Sequence, residues 1–476
     1  MKNMKIENLF LIISLFFGLL LVLIVPPFQS PDENSHFLKA YSLSEGTIRP
    51  QNVDGNIGYY SPKNSLDYID TKLSMMGNRN MKYDYSSLYL DQMLSTSYNS
   101  KTFRSNPTSF ITPFAYVVPA TGIILASNVT AFDYSNTSDS KHVSTSVLLQ
   151  YARIFSLVVY SVIGFFAIKI TPKLKKTFFT ILLLPTSLFL RSMVTYDSLI
   201  VVITALSVSK MLQLYVDEKH KFNNVDCCLL VVCGYFLLNV KTVYSVVFLL
   251  MFFIPYEKFG TKKNQVKQYI KMITLVLILT LLSKICYFGI SSETHEILLN
   301  QQRWAISHPI YLLKILITNI FEQMHTQLYF MVGTVGLLDT YLPVLMVGLI
   351  YFNLIIVSIC EALKSKIKFS MPICLLYVIF IFLSVIAVYG YMYIQWTPLA
   401  LNQIGGTEVS GVQGRYYIPY LFMLPLVLCN NFFDSIYIKF KKIVDKFDNI
   451  ICEYYWFIPV CSLIITMFVV VSRYYI

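Results

Sequence analysis

The chain has 476 residues, enough for two or three soluble domains, but 55% of them are hydrophobic and only 13% are charged. The mean hydropathy is +0.58. A water-facing surface normally draws on about 25% charged residues, so the composition excludes soluble domains of this length. The high hydrophobicity also excludes a disordered chain. The sequence therefore predicts an all-α, polytopic membrane protein with one integral membrane domain over residues 1–476.

The net charge of +12 at first suggests binding to nucleic acid. The lysines, however, lie in short clusters between apolar runs, near 169–176, 258–267, 364–368 and 439–446. Short loops on the cytoplasmic side of membrane spans carry such an excess of lysine. The charge therefore indicates membrane orientation, and no nucleic-acid partner is expected.

Apolar runs of roughly 20 residues, the length that crosses a bilayer, place the spans. The first run, Leu9–Val25, follows a weakly basic start and is not followed by a small-residue cleavage site, so we expect a retained span with a cytoplasmic N-terminus. Together with it, about eleven transmembrane helices are predicted. The other runs lie near 146–169, 177–190, 196–215, 226–239, 243–256, 269–289, 341–363, 369–393, 416–437 and 453–473.

Alternation of the spans predicts which segments lie outside. Residues 28–145 form a large extracytoplasmic loop, residues 290–340 a second one, and residues 394–415 a short one. The apolar stretch 110–126 would break the alternation if it crossed the membrane. Acidic residues and no lysine cluster follow it, so we expect an interfacial helix on the outer surface.

A proline-rich acidic segment, PPFQSPDENSH at 26–36, directly follows the first span. One interpretation is a well-formed helix start, with Ser30 as the N-cap and acids in the first turn. The other is catalytic. Asp32 would be a general base held at the outer membrane surface, with His36 on the same helical face and Glu33 as a second candidate.

A second acidic candidate is Asp197, in the tight predicted outer turn RSMVTYD. An ionisable residue near membrane depth is by default a functional hypothesis. The structural alternatives are that Asp197 caps the following helix or pairs with Arg191.

The segment GVQGRYYIP at 411–419 enters a predicted span from outside. Arg415 offers a planar fork of donors that suits phosphate oxygens, with Gln413 and Tyr416 beside it. Lys241, in another predicted outer turn, is a second cation that could bind phosphate. The structural alternative for these long side chains is contact with lipid headgroups.

These carboxylates and cations are all predicted at the outer mouth of a helical bundle. That combination suits a lipid-linked phosphate leaving group and an acceptor hydroxyl that must lose a proton. A divalent cation, Mg²⁺ or Mn²⁺, could be held by Asp32 and Asp197. The chain contains no P-loop, GxGxxG, HExxH or GxSxG motif, which disfavours nucleotide-driven pumping and the corresponding hydrolases.

Several motifs resemble a predicted bacterial membrane protein family of unknown function. They are PDExxH after the first span, TPFAY at Thr112–Tyr116, Ala152-Arg153, Tyr196-Asp197 and QGRYYIP at 413–419. That family is similar to the GT-C glycosyltransferases, which use polyprenyl-phosphate-linked sugars on the extracytoplasmic side. The resemblance implies a catalytic Asp after the first span, followed by juxtamembrane helices, and a second acid between spans three and four. Asp32, residues 110–126 and Asp197 occupy those positions.

We therefore expect a GT-C-like glycosyltransferase in the bacterial plasma membrane, with membrane lipid, a polyprenyl-phosphate-linked sugar donor and a cell-envelope glycan acceptor as partners. One alternative is a transporter or flippase of lipid-linked glycans, which would place its charges at mid-membrane. Another is a glycan polymerase or ligase, which would carry several outer arginine motifs. A purely structural scaffold would need none of these charged candidates.

Overall fold

Helices dominate the computed structural model, which describes residues 4–84, 86, 100–129, 143–288, 294–365 and 367–476. In chain order, the α-helices of these residues are α1 (Ile6–Ile24), α2 (Glu33–Ser44), α3 (Lys63–Leu73), α4 (Val117–Val129), α5 (Thr145–Ile170), α6 (Lys175–Leu182), α7 (Pro185–Arg191), α8 (Tyr196–Val216), α9 (Asn224–Asn239), α10 (Lys262–Ile285), α11 (Thr294–Ser307), α12 (Pro309–Gly333), α13 (Val344–Lys364), α14 (Met371–Gln395), α15 (Thr397–Leu401), α16 (Leu424–Val427), α17 (Asn431–Tyr454) and α18 (Phe457–Tyr474). Within the same residues, four 3₁₀ helices cover Pro113–Tyr116, Thr242–Phe253, Tyr256–Phe259 and Gly414–Phe422.

Among the described residues, seven helices are long and apolar enough to cross a membrane: α1, α5, α8, α10, α13, α14 and α18. The prediction of a helical, multi-pass membrane protein is confirmed. The count of about eleven spans is not, because the four remaining apolar runs form shorter or broken elements. Helix α8 is the most enclosed of the seven and carries Asp197 in its first turn.

Prolines explain two of the broken elements. The predicted span 177–190 is divided into α6 and α7, and Pro185 is the first residue of α7. The predicted span 416–437 is a 3₁₀ helix that contains Pro419, followed by the short helix α16, which contains Pro425. Proline removes a backbone donor and clashes with the preceding turn, so neither run continues as one α-helix.

The segment between α1 and α5 contains a small antiparallel sheet in the order β1-β2-β3, formed by Gln51–Val53, Asn56–Pro62 and Lys101–Ser105. Asp54 and Gly55 make the two-residue turn between β1 and β2, and both have positive φ. An Asp-Gly pair favours this hairpin turn because both central residues must adopt left-handed conformations.

The apolar stretch predicted at 110–126 is helical, as a 3₁₀ turn and then α4. Helix α4 packs closely along α5: a Cβ on Gly122 would lie only 2.7 Å from the Tyr151 carbonyl oxygen. The acidic residues that follow this stretch in the sequence, near 133 and 139, lie outside the described residues.

The region predicted as the second loop, 290–340, contains two helices. The pair Glu296–Ser307 and Pro309–Gly333 is bent by 103° at a short break and is apolar enough to be one broken span or a re-entrant element. A two-stranded hairpin, β4 (Thr334–Val335) and β5 (Thr340–Tyr341), follows. Arg473 of α18 pairs with Asp339 in this hairpin at 2.7 Å.

Candidate functional site

The two acidic candidates and the arginine candidate meet at one place. Arg415 Nη2 donates to Asp32 Oδ2 at 2.8 Å, and Arg415 Nε lies 2.8 Å from Asp197 Oδ2. The side chains of Arg415 and Asp197 are buried, whereas that of Asp32 is 56% exposed. One buried guanidinium thus bridges two carboxylates, of which only Asp32 is open to an incoming molecule.

Asp32 is held in an unusual backbone conformation. Its φ is +61°, in the left-handed region, and α2 begins at the next residue, Glu33. The predicted helix start after Ser30 is therefore wrong by two residues, and the Asp32 side chain does not cap the helix. Asp and Asn are among the few residues with a side chain that visit this region readily.

Asp197 is the second residue of α8, and Thr195 supplies the N-cap by accepting a hydrogen bond from the Asp197 amide at 3.2 Å. The capping alternative for the Asp197 carboxylate is therefore wrong. The alternative pairing with Arg191 is also wrong, because that guanidinium is buried elsewhere and donates to the Leu182 carbonyl oxygen. The Asp197 carboxylate is left to face Arg415.

Lys241 and Tyr416 form the second cationic part of the site. Lys241 Nζ lies 3.1 Å from the centre of the Tyr416 ring, and the Arg415 guanidinium carbon lies 5.4 Å from the same centre. Buried cation–π contacts of this kind are worth ~2 kcal/mol. Lys241 Nζ has no hydrogen-bond partner among the described residues, and neither does the buried Oε1 of Gln413. Lys241 lies close enough to Asp197, Arg415 and Asp32 for their charges to act on its ammonium group.

Glu33 binds a different arginine from the one that contacts Asp32 and Asp197. Its carboxylate accepts two hydrogen bonds from Arg153 of α5, at 2.9 and 2.6 Å, and a third from the Val194 amide at 3.0 Å. Arg153 also donates to the carbonyl oxygens of Val25 and Pro26. Both oxygens of Glu33 are engaged and wholly buried, so the geometry favours a structural role over the predicted catalytic one.

His36 lies in α2 one turn after Asp32 and is buried. Its Nδ1 lies 2.9 Å from the Tyr116 hydroxyl, and its ring packs edge-on against Tyr196 at 4.8 Å. Burial lowers the pKa of His36 to about 4, although Asp32 and Asp197 act in the opposite direction. The imidazole is therefore neutral at physiological pH and acts here as a packed, hydrogen-bonding support.

At Asp32 and Lys241, too, the pKa departs from its ordinary value. Although its side chain is half exposed, the surrounding protein reduces the solvation of the Asp32 carboxylate, which by itself would raise the pKa. The positive charges facing it, Arg415 first, outweigh this effect and hold the pKa below the usual 3.8. Burial lowers the pKa of Lys241 to about 8, partly offset by Asp197. Asp32 is thus ionised at neutral pH, and Lys241 loses its charge under mildly alkaline conditions.

The residues do not fit the divalent cation considered from the sequence. The two carboxylates that would have to share it, Asp32 and Asp197, both contact the Arg415 guanidinium, which supplies the positive charge between them. In the part of the chain that the structure describes, no group of three His, Cys, Asp or Glu side chains could hold a metal ion.

Arg153 and Tyr116 are not among the catalytic or binding residues expected from the sequence. Arg153 is a guanidinium in an otherwise apolar span, which is by itself a signal of a specific buried partner. Tyr116 ends the TPFAY motif, but a tyrosine in an apolar stretch does not by itself indicate a specific partner. Its role beside His36 depends on the fold of the segment between α1 and α5.

The fold and this site define a multi-pass helical membrane protein with a cluster of charged residues where several helices end. A family model described as "Predicted membrane protein (DUF2142)" matches residues 15–424, and the chain belongs to this family. A comparison with curated proteins and another with solved structures found no match.

Proposed function

We propose that this protein is a GT-C-type glycosyltransferase that transfers a sugar from a polyprenyl-phosphate-linked donor to a hydroxyl of a cell-envelope glycan or lipid-linked acceptor. The observation that carries the proposal is the meeting of an exposed carboxylate, Asp32, with the buried cations Arg415 and Lys241. A carboxylate next to cations is what proton removal from an acceptor and stabilisation of a departing phosphate require.

The proposed reaction is a single displacement that inverts the anomeric carbon. Asp32 accepts the proton of the acceptor hydroxyl, and the acceptor oxygen forms a new bond to the anomeric carbon. The bond between that carbon and the phosphate oxygen breaks, and the polyprenyl phosphate leaves with the electron pair. Arg415 and Lys241 stabilise its negative charge.

The ion pair between Arg415 and Asp32 gives the donor a second effect in this scheme. A phosphate that binds the guanidinium competes with the Asp32 carboxylate for the same N–H donors, because both are anionic acceptors. Released from Arg415, Asp32 loses the interaction that lowers its pKa most and becomes a stronger base. The donor would thus bind first and activate the base for the acceptor.

The proposed setting is the bacterial plasma membrane, with a cytoplasmic N-terminus and residues 28–145 outside. The lysine clusters support this orientation. The seven long helices and the four shorter apolar elements near 175–191, 224–239, 242–253 and 414–427 together would supply the eleven crossings of a GT-C-like bundle. The bent pair of α11 and α12 would then lie on the outer side.

Replacing Asp32 by Asn tests the proposed function. Asn adopts the left-handed conformation of this position readily and keeps the shape of the side chain while removing the basic oxygen. Purified protein in nanodiscs would be assayed with a labelled polyprenyl-phosphate sugar and an acceptor glycan. We expect the rate to fall about 10²–10⁴-fold while donor binding persists.

The matched control is Asp67→Asn, which removes an exposed carboxylate on α3 outside the site. It should leave the rate unchanged. If Asp32→Asn retained the wild-type rate, Asp32 would be only a residue of a helix start, and the proposed chemistry would be wrong.

A further inference from the structure

Helix α12 carries a row of three carboxamide side chains at four-residue spacing, Asn319, Gln323 and Gln327. All three donate to backbone carbonyl oxygens of one loop. Asn319 Nδ2 donates to Thr407 at 2.8 Å, Gln323 Nε2 to Val409 at 3.0 Å, and Gln327 Nε2 to Val412 at 3.2 Å. Residues four apart lie on one face of a helix, so the three side chains contact successive parts of the loop backbone.

The loop also donates back to this row. The Val409 amide donates to Asn319 Oδ1 at 2.9 Å, so Asn319 holds the loop through both its donor and its acceptor. A loop has no ladder of its own, and its buried backbone groups need partners from elsewhere. The row on α12 supplies them over the six residues 407–412, which lead towards Gly414 and Arg415.

The end of the loop is fixed by close packing as well. A Cβ on Gly414 would lie 2.3 Å from the Gln327 carbonyl oxygen and 2.4 Å from the Met331 amide, so the two backbones touch. Gly411 has a φ of +82° and packs against the Trp396 ring, which a Cβ would meet at 2.3 Å. The backbone that leads into Arg415 is therefore held by two contacts, Gly414 against α12 and Gly411 against Trp396.

We propose that Asn319, Gln323 and Gln327 are positioning residues that hold the 407–412 loop against α12 and thereby set the position of the Arg415 guanidinium. This inference rests on the proposed function for its link to donor phosphate, whereas the positioning itself is independent of it. The three side chains do not touch Asp32 or Asp197 in any contact of the described residues, so they act through Arg415.

The alternative is that these hydrogen bonds only satisfy buried amides and do not position the loop. Amides in a largely apolar helix need hydrogen-bond partners, and any available carbonyl group could serve. A partner for such an amide is available within the helix itself: Asn319 Nδ2 also donates to the Ile315 carbonyl oxygen at 2.9 Å. The three amides, however, bind three carbonyl groups of the same loop, and they do so in the same order along the helix and the loop. This order indicates a specific fit between α12 and the loop. Directional hydrogen bonds define position more narrowly than apolar packing does.

Hydrogen–deuterium exchange on the full chain in nanodiscs tests the positioning directly. Asn319→Leu removes both bonds, and Asn319→Asp keeps the acceptor for the Val409 amide while losing the donor to Thr407. We expect exchange at the Val409 amide to rise about 10-fold in the Leu variant and much less in the Asp variant. Thr318→Leu, at the exposed neighbouring position, is the control and should not change exchange in the loop.

Faster exchange confined to the loop in Asn319→Leu supports the proposal. Unchanged exchange there, or an equal rise in α5 and α8, overturns it, because the row would then be dispensable or merely part of overall stability. If the Leu variant fails to fold, the Asp variant is compared with the wild type. The Val409 amide should then keep most of its protection, because Asn319→Asp retains the acceptor. Complete loss of that protection would overturn the proposal.

Binding of farnesyl phosphate to the same variants tests the link to Arg415. We expect Asn319→Leu to weaken binding about 10-fold or more, since small displacements of a binding group have large effects, with Thr318→Leu unchanged. Wild-type binding by Asn319→Leu would overturn the link. If the wild-type protein itself did not bind farnesyl phosphate while the loop exchange behaved as expected, the proposed function would fail and the positioning role would stand.

Discussion

Arg415 Nη2 donates to Asp32 Oδ2 at 2.8 Å, and 383 positions of sequence separate the two residues. The same guanidinium contacts Asp197, so two carboxylates from different parts of the chain share one buried positive charge. Lys241 adds a second cation against Tyr416. The four charges balance, which lets a polar cluster persist beside an apolar bundle and lets an added anion change the balance.

Arg415→Lys should abolish most of the proposed transfer, by about 10²–10³-fold. Lysine is a point charge without the planar fork, so it cannot direct separate N–H groups at two carboxylates and a phosphate. The measurement is transfer and farnesyl phosphate binding in nanodiscs. Arg104→Lys is the matched control, because Arg104 makes a bidentate but exposed pair with Asp70 at 2.9 and 2.6 Å. Wild-type binding by Arg415→Lys would return Arg415 to a lipid-headgroup role.

Binding of an anionic probe should weaken as the pH rises through about 8. The pKa of Lys241 is lowered to about 8 by burial, so the ammonium is charged below that pH and neutral above it. Binding of farnesyl phosphate measured from pH 6.5 to 9.5 should therefore decline at the alkaline end in the wild type. Lys241→Met should bind more weakly at pH 7 and lack the decline. The control Lys63→Met changes an exposed lysine and should keep the alkaline decline in binding. If the decline also persisted in Lys241→Met, a group other than Lys241 would be responsible for it.

Glu33→Gln should destabilise the fold by ~3–5 kcal/mol, because it leaves the Arg153 guanidinium buried without its counter-charge. Replacing both partners, as Glu33→Gln with Arg153→Met, should cost less than the sum of the two single changes. Thermal unfolding of the purified protein, followed by intrinsic fluorescence, measures this. Asp70→Asn breaks an exposed pair and should change stability by less than ~1 kcal/mol. Equal effects of Glu33→Gln and Asp70→Asn would contradict the structural role.

Labelling should place residue 60 and residue 263 on opposite sides of the membrane. In a chain whose nine native cysteines are replaced, Tyr60→Cys should react with an impermeant maleimide on intact cells. Lys263→Cys should react only after the membrane is made permeable. Reaction of position 60 from the cytoplasmic side alone would reverse the proposed orientation.

The composition of the site could be predicted from sequence, but its contacts could not. The sequence predicts four charged candidates at the ends of apolar runs, and the structure brings them together: Asp32, Asp197, Lys241 and Arg415. From the sequence, Glu33 is a candidate together with Asp32 because the two are adjacent. The left-handed backbone at Asp32 turns neighbouring side chains in different directions, and no pattern of residue types predicts that turn.

The fold shows a similar division. The long, uniformly apolar runs became the seven long helices, because burial of apolar surface dominates their energetics. Where α12 lies, the sequence instead predicts a loop, since the row of amides lowers the hydropathy of that segment. Those amides are bonded to the 407–412 loop, a partner that lies some 85–90 residues further along the chain and is invisible to a window of local sequence.

The pair of Glu33 and Arg153 also sets an order in time. At synthesis rates of about 5–20 residues per second, Arg153 is made roughly 6–24 s after Glu33, because it lies 120 positions later. Asp32, the neighbour of Glu33, waits roughly 19–77 s for Arg415. A nascent chain can therefore lock α1 to α5 well before the charged site is complete. Through that interval Asp32 lacks the guanidinium that it contacts in the complete chain, and Arg415, the last of the four site charges to be made, completes the site.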